Sequence, residues 1–374
     1  MKSLVDPRSL FLLGRPFSPL YASLMRLRQH AYRKGMLRSQ GVGRPVISIG
    51  NLCLGGTGKS PHVIYVCRLL KDAGYRPAVI TRGYGGRAGR GPMVVAGPDG
   101  IRASAEDAGD EPYMIALSLP GVPVVAGSNR VSSARTAVEG LGAEVLVLDD
   151  GFQHMAIRRE LDLVLFPAHA PLGTGRVFPG GDLREPVSAL KRAHAGIVTG
   201  LEHLGDGAGE LARRKVHRAV PDLPIFLSAT RPAGLFIWTD RLGRLCQEPS
   251  MSALSDGGAW LAFCGIARPE RFINMLKGLG AEIAEARFYR DHHFYGLDDI
   301  KELAARARAL GCSRLICTMK DWVKIEPVWK DFASGPRRAA LSIWVLDIGV
   351  ETEEGLRRLI LDRVRRFGAD SDRS

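Results

Sequence analysis

The chain has 374 residues, 45% of them apolar, enough for one large or two medium domains, and its 44 glycines and 22 prolines fit an α/β protein with many tight turns rather than a disordered chain. Six scattered cysteines, with no CxxC pair and no zinc-type spacing, read as reduced thiols in a cytosolic protein rather than as a disulfide framework or a metal centre. The net charge of +13 is uneven: up to Arg44, nine Lys/Arg stand against one acid, Asp6, which points to an anionic surface, either lipid headgroups or nucleic acid.

Residues 1–40 form the first segment. The run LFLLGRPFSPLYASLMRLRQHAYRKGM is broken by Arg15 and Pro16 and falls far short of the roughly 18–20 apolar residues that span a bilayer. No small-residue cleavage site follows it, so it is neither a transmembrane helix nor a signal peptide. From Leu20 onward, Leu20, Leu24 and Leu27 with Tyr21 and Met25 make one apolar stripe, opposed by Arg26 and Arg33 and interrupted by Arg28. Such a helix suits the plane of an anionic membrane surface; packing on its own domain is the bland alternative. The basic residues are interleaved with leucine rather than with stacking aromatics, which argues against a nucleic-acid partner.

Val46-Ile47-Ser48-Ile49 is a buried-strand pattern that drops into NLCLGGTGKS and then into a helix, HVIYVCRLLKDAGY, stopped by Gly74. This strand–loop–helix order suits a phosphate-binding loop. Gly55, Gly56, Thr57 and Gly58 allow close backbone approach to the β- and γ-phosphates of a nucleotide, Lys59 adds a point charge, and Ser60 offers a hydroxyl to Mg²⁺. A strict pattern wants glycine five places before Gly58, where Cys53 stands. A second apolar strand, EVLVLDDGFQH, ends in Asp149 and Asp150, carboxylates placed to hold Mg²⁺ beside the loop. Asp149, nearer the strand, is favoured, without separating the two. RPAVITRGYGGR ends a strand on Arg82. In DAGDEPYMIA, Asp110 and Glu111 precede Pro112 and a helix; the residues alone favour helix capping over a general base.

Strands at about 46–50, 77–81, 93–96, 122–126, 145–149 and 162–166 alternate with helical patterns. The fold class is α/β, a P-loop NTPase-like, mostly parallel sheet with crossover helices, plus a second, smaller α/β domain. The kinase-like domain runs over 41–205, up to the glycine- and charge-rich passage TGLEHLGDGAGELARRK; the smaller domain covers 206–350, and a C-terminal helix and tail cover 351–374.

Taken together, eight collinear stretches resemble the tetraacyldisaccharide 4'-kinase family, whose members phosphorylate the 4'-position of the lipid A precursor. They are IGNLCLGGTGKSP, TRGYGG, GDEP, LDDGFQH, GRVFPGGDLREP, FCGIARPERF, RDHHFYG and TMKDWVKI. Met319 departs from the pattern, which usually has an acid there; Cys53 lies within it. The resemblance implies ATP and Mg²⁺ as cofactors, tetraacyldisaccharide 1-phosphate as glycolipid substrate, and a peripheral, monotopic place on the cytoplasmic face of the inner membrane. It also implies that Asp110 is the catalytic base with His292 beside it. Arg82, Tyr84, Glu111, Gln153 and Arg184 are candidate substrate contacts, with Arg130 and Lys320 as further candidates. With GDEP in the first domain and RDHHF in the second, the active site is expected between them, completed by domain closure. The runner-up is a membrane-associated P-loop ATPase of the partitioning or positioning type, but its signature lysine is replaced by Leu54.

Overall fold

The structure is a computed structural model that describes residues 7–83, 91–202, 204–205, 207–239, 244–248, 250–291, 293–333 and 341–371. Its strands are β1 Val46–Asn51, β2 Pro77–Thr81, β3 Met93–Gly97, β4 Gly100–Ile101, β5 Val124–Ala126, β6 Val145–Asp149 and β7 Leu161–Pro167. They continue with β8 Ala195–Thr199, β9 Ile225–Thr239, β10 Arg244–Glu248, β11 Trp260–Cys264, β12 Ile283–Phe288, β13 Arg314–Thr318 and β14 Ser342–Thr352. The helices are α1 Pro7–Gly14, α2 Ser18–Arg33, α3 Lys59–Asp72, α4 Ala105–Ala108, α5 Asp110–Ser118 and α6 Arg130–Arg135. Towards the C-terminus come α7 Ala208–Ala219, α8 Pro269–Gly278, α9 Leu297–Ala309, α10 Met319–Ala333 and α11 Glu354–Ser371.

The chain divides into two compact units. The first contains residues 1–108, 115–230 and 350–374; the second contains 109–114 and 231–349. In the first unit the sheet order is β9-β8-β7-β1-β6-β2-β5-β3-β4, with β3 antiparallel to β5, β4 antiparallel to β3, and the remaining pairs parallel. β1, β2 and β6 are buried along their whole length, as a parallel sheet covered on both faces requires. One face packs Val63 and Leu70 of α3, Ile115 of α5 and Leu356, Ile360 and Val364 of α11 against Ile47, Val79 and Val147. The opposite face packs Val131 and Ala134 of α6 against Ile80, Leu146 and Leu148.

The second unit has its own sheet, in the order β12-β11-β13-β14-β9, with β10 hairpinned antiparallel to β9. The β12-β11-β13-β14 portion is parallel. Its core gathers Trp260, Phe272, Leu276, Ile316 and Leu346.

These divisions depart from the expected boundaries in three places. Residues 206–230 belong to the first unit, because Ala212 and Val216 of α7 share a core with Phe166 and Val198. Helix α11 is part of the same unit, its apolar face inserted beside α3. Residues 109–114, read as part of the kinase-like domain, belong to the second unit. There Tyr113 Oη donates to Glu326 Oε2 of α10 at 3.0 Å.

Helix α2 divides its apolar stripe. Leu20, Leu24 and Leu27 are exposed, joined by Leu12, Leu13 and Phe17. Ser18 and Ala22 are buried, and Ser18 Oγ accepts from the Gly180 amide at 2.9 Å. Among the described residues no helix is long and apolar enough to cross a membrane.

Candidate active site

The turn after β1 is held by side chains around it. Asn51, fully buried, donates from Nδ2 to Thr57 Oγ1 at 3.0 Å, and Thr199 Oγ1 donates to the Thr57 carbonyl at 3.1 Å. Gly55 (φ +106°) and Gly58 (φ +81°) adopt backbone conformations that residues with a Cβ rarely reach, and Gly58 caps α3. Cys53 has no such demand on it. It pairs with Leu183, while the Leu54 amide donates to the Asp182 carbonyl and the Arg184 amide to the Leu52 carbonyl, each at 2.7 Å. The GRVFPGGDLREP stretch therefore buttresses the loop, and glycine is not needed at position 53. Burial, with Asp182 nearby, pushes the Cys53 thiol up to about 11, so it stays a neutral packing group.

His62, one turn into α3, braces the loop from inside and escaped the sequence reading. Its Nδ1 lies 2.7 Å from the Gly58 carbonyl and its Nε2 2.9 Å from Ser228 Oγ. Complete burial holds the imidazole down at about 4, so at neutral pH it is uncharged. The only tautomer that fits donates from Nδ1 to Gly58 and accepts at Nε2 from the serine hydroxyl.

The paired aspartates part company. Asp149 ends β6 in register with Ile49, is buried, and accepts from Thr81 Oγ1 at 3.2 Å. Asp150 turns out of the sheet with φ +54°, the only non-glycine residue among those described in that region. Its carboxylate lies 3.8 Å from Lys59 Nζ and accepts from Arg184 Nη1 at 2.7 Å. The acid facing the loop lysine is therefore Asp150, because the left-handed turn redirects the second side chain. Among the described residues Asp150 Oδ1 makes no hydrogen bond. A hard carboxylate oxygen with that capacity, facing the lysine that opens the loop's helix, suits Mg²⁺, which uses one or two protein carboxylates beside phosphate oxygens and water.

Asp150 also lines a cavity of 540 Å³ that gathers Arg82, Gln153 and Arg184 from the expected substrate contacts, together with Arg130. Gln153 Nε2 donates to the Asn51 carbonyl at 2.9 Å, tying this wall to the loop strand. Three further members, Tyr21, Met25 and Arg28, come from α2. Arg28, which interrupts the apolar stripe, does so because its face of the helix looks into the cavity. His154 stands there too, held at about 4 first by burial and then by Arg130, Arg159, Arg28 and Arg82. The cavity lining thus combines Arg28, Arg82, Arg130 and Arg184 with Tyr21, Met25, Leu54 and Phe178.

In the second unit, Asp110 is the first residue of α5, and its carboxylate lies 3.8 Å from Lys324 Nζ. Asp321, fully buried, accepts from the Gly265 amide at 2.8 Å, Tyr295 Oη at 2.9 Å and Thr318 Oγ1 at 2.6 Å. One carboxylate thereby ties together FCGIARPERF, RDHHFYG and TMKDWVKI. Met319 is buried, and Lys320 pairs with Asp291 at 3.0 Å, so Lys320 is committed to the loop holding RDHH. His293 stacks on Tyr289 at 4.6 Å and contacts Asp299 Oδ2 at 3.2 Å. Glu111 is exposed and does not line the cavity described above. His292 and Tyr84 lie outside the described residues.

The chain matches known proteins in sequence and fold. The family model described as tetraacyldisaccharide-1-P 4'-kinase matches residues 10–365. The tetraacyldisaccharide 4'-kinase of Desulfotalea psychrophila is 42% identical over 317 residues, covering 85% of this chain and 88% of the relative. That of Syntrophus aciditrophicus is 40% identical over 326 residues, covering 85% of each. Among solved structures, LpxK from Aquifex aeolicus in complex with ATP superposes with a TM-score of 0.72 at 30% identity, covering 96% of this chain and 99% of that one. The partitioning-type ATPase reading finds no support in these matches. The chain belongs to the tetraacyldisaccharide-1-P 4'-kinase family.

Proposed function

We propose that the chain transfers the γ-phosphoryl group of ATP to the 4'-hydroxyl of a tetraacyldisaccharide 1-phosphate, the lipid A precursor, at the cytoplasmic face of the inner membrane. The observation that carries this reading is the cavity beside Asp150: arginines suited to a phosphorylated sugar, apolar side chains of α2 suited to acyl groups, and the loop lysine at the next carboxylate. Lys59 and the amides of residues 56–60 hold the β- and γ-phosphates. Ser60 and Asp150, with Asp149 behind it, are the residues that would hold Mg²⁺, whose charge offsets that of the phosphates. Phosphoryl transfer proceeds through a loose transition state, so positioning and charge stabilisation do most of the work. Asp110 accepts the proton of the sugar hydroxyl, and His292 orients it. Arg82, Gln153 and Arg184 hold the disaccharide. Leu12, Leu13, Phe17, Leu20, Leu24 and Leu27, exposed on α1, the following turn and α2, rest in the lipid interface, with the basic residues on headgroups.

Labelled ATP, Mg²⁺ and the disaccharide 1-phosphate in mixed micelles should give a bis-phosphorylated product, abolished in Lys59→Ala. ATP hydrolysis without that product would return the partitioning-type reading. Asp110→Ala should lower kcat by more than about 10²-fold, the scale of general-base loss, with ATP affinity little changed; near-normal turnover would remove Asp110 from the mechanism.

A further inference from the structure

We infer that Lys324 is a positioning residue for the reaction, its ammonium group holding the Asp110 carboxylate in the orientation that receives the substrate proton. The inference rests on the assignment of Asp110 as base and extends it to a residue 214 positions away in sequence.

Lys324 lies on α10, and its side chain is only 3% exposed. Its Nζ makes no hydrogen bond among the described residues, and Asp110 Oδ2, at 3.8 Å, is the one carboxylate oxygen there within ion-pair reach. A buried cation this poorly satisfied is a poor stabilising device: an apolar side chain of similar length usually serves a core at least as well. Nor is it needed to fasten α5 to α10, because one helical turn further along Tyr113 and Glu326 already do so. Asp110, by contrast, keeps 28% of its side chain open. It sits between the positive end of α5 and the lysine, one side restrained and the other free to meet a hydroxyl. Burial lowers the Lys324 pKa below its usual 10.5, opposed by Asp110 and Asp321, with Lys320 lowering it and Asp291 raising it. The ammonium is therefore lost earlier on the alkaline side than that of an exposed lysine would be.

The test uses the full-length chain with ATP and the disaccharide 1-phosphate in mixed micelles. Lys324→Met should lower kcat by about 10–100-fold, a fraction of the 10²–10⁴ available to a general base, while KM for ATP stays within about twofold. Its melting temperature should equal or exceed that of the parent, as expected when a buried charge is replaced by a methionine. Lys324→Arg should recover most of kcat. It should also lack the alkaline decline of the parent, because guanidinium stays charged throughout. Unchanged kcat in Lys324→Met overturns the inference, as does an equal loss in both variants accompanied by a lower melting temperature, which marks a purely structural role. Asp110→Asn separates the two levels. If it is inactive while Lys324→Met is not, only the positioning role falls; if it turns over normally, the base assignment and this inference fall together.

Discussion

Asp150 combines a strained backbone with a charge, and two substitutions separate them. At φ +54° it occupies the left-handed region, which costs an ordinary L-residue about 1–2 kcal/mol but is tolerated by Asp and Asn through local hydrogen bonding. Asp150→Asn keeps that tolerance and the side-chain shape; Asp150→Ala keeps neither. The ion pair with Arg184 is lost as a charge interaction in both, and with each side chain 26% exposed it contributes no more than about 1 kcal/mol. The stability difference between the two variants is therefore mainly backbone strain, about 1 kcal/mol, or roughly 2–4 °C in the melting of a unit this size. Activity should behave differently. Both variants lose the carboxylate 3.8 Å from Lys59, and kcat should fall by more than about 10²-fold in each, on the scale of removing one preorganised electrostatic group. Differential scanning calorimetry and turnover of labelled ATP read the two effects independently. Equal melting temperatures would refute the strain argument, and kcat within about threefold of the parent in Asp150→Asn would refute the role of the charge.

Three other outcomes are expected. His62→Phe strands the Gly58 carbonyl and the Ser228 hydroxyl, about 1–3 kcal/mol for each buried group left unpaired, so melting should drop and KM for ATP should rise several-fold; an unaltered KM means the loop needs no such brace. His154 is held at about 4 against an ordinary 6.5, so between those values the unfolded chain binds a proton that the folded chain refuses, and stability falls as pH drops from 6.5 towards 4. Discounted for partial solvent access, the effect is about 1–2 kcal/mol; His154→Gln should flatten that part of the stability–pH curve, and an imidazole titrating above 6 by NMR contradicts the reasoning. Ile360→Ala in α11, at a fully buried position, should cost about 2–5 kcal/mol, whereas an unchanged melting temperature would place this helix outside the core.

Most strands of the first unit were legible within one to three residues: 46–50 against Val46–Asn51, 162–166 against Leu161–Pro167, 122–126 against Val124–Ala126. Buried parallel strands are continuous apolar runs, and each carries its own signal. The junction after β8 was misplaced for the complementary reason. Helix α7 is charged and opens at Gly207, so little in it announces that Ala212 and Val216 enter the first unit's core. Likewise α11 looked like a tail, because nothing local reveals which core receives an amphipathic face.

The sequence by itself determined the phosphate loop, the acidic pair at the end of β6 and the basic amphipathic start. Glycine placement, strand composition and charge spacing act over a few residues and can be read there. The tertiary structure decided which aspartate meets Lys59, which face of α2 supplies Arg28, that His62 locks the loop, and that Lys324 stands against Asp110. Those pairings join elements up to 214 positions apart, and no local periodicity encodes them. They follow from how strands order in a sheet and how helices pack on it, which is settled only when the whole core closes.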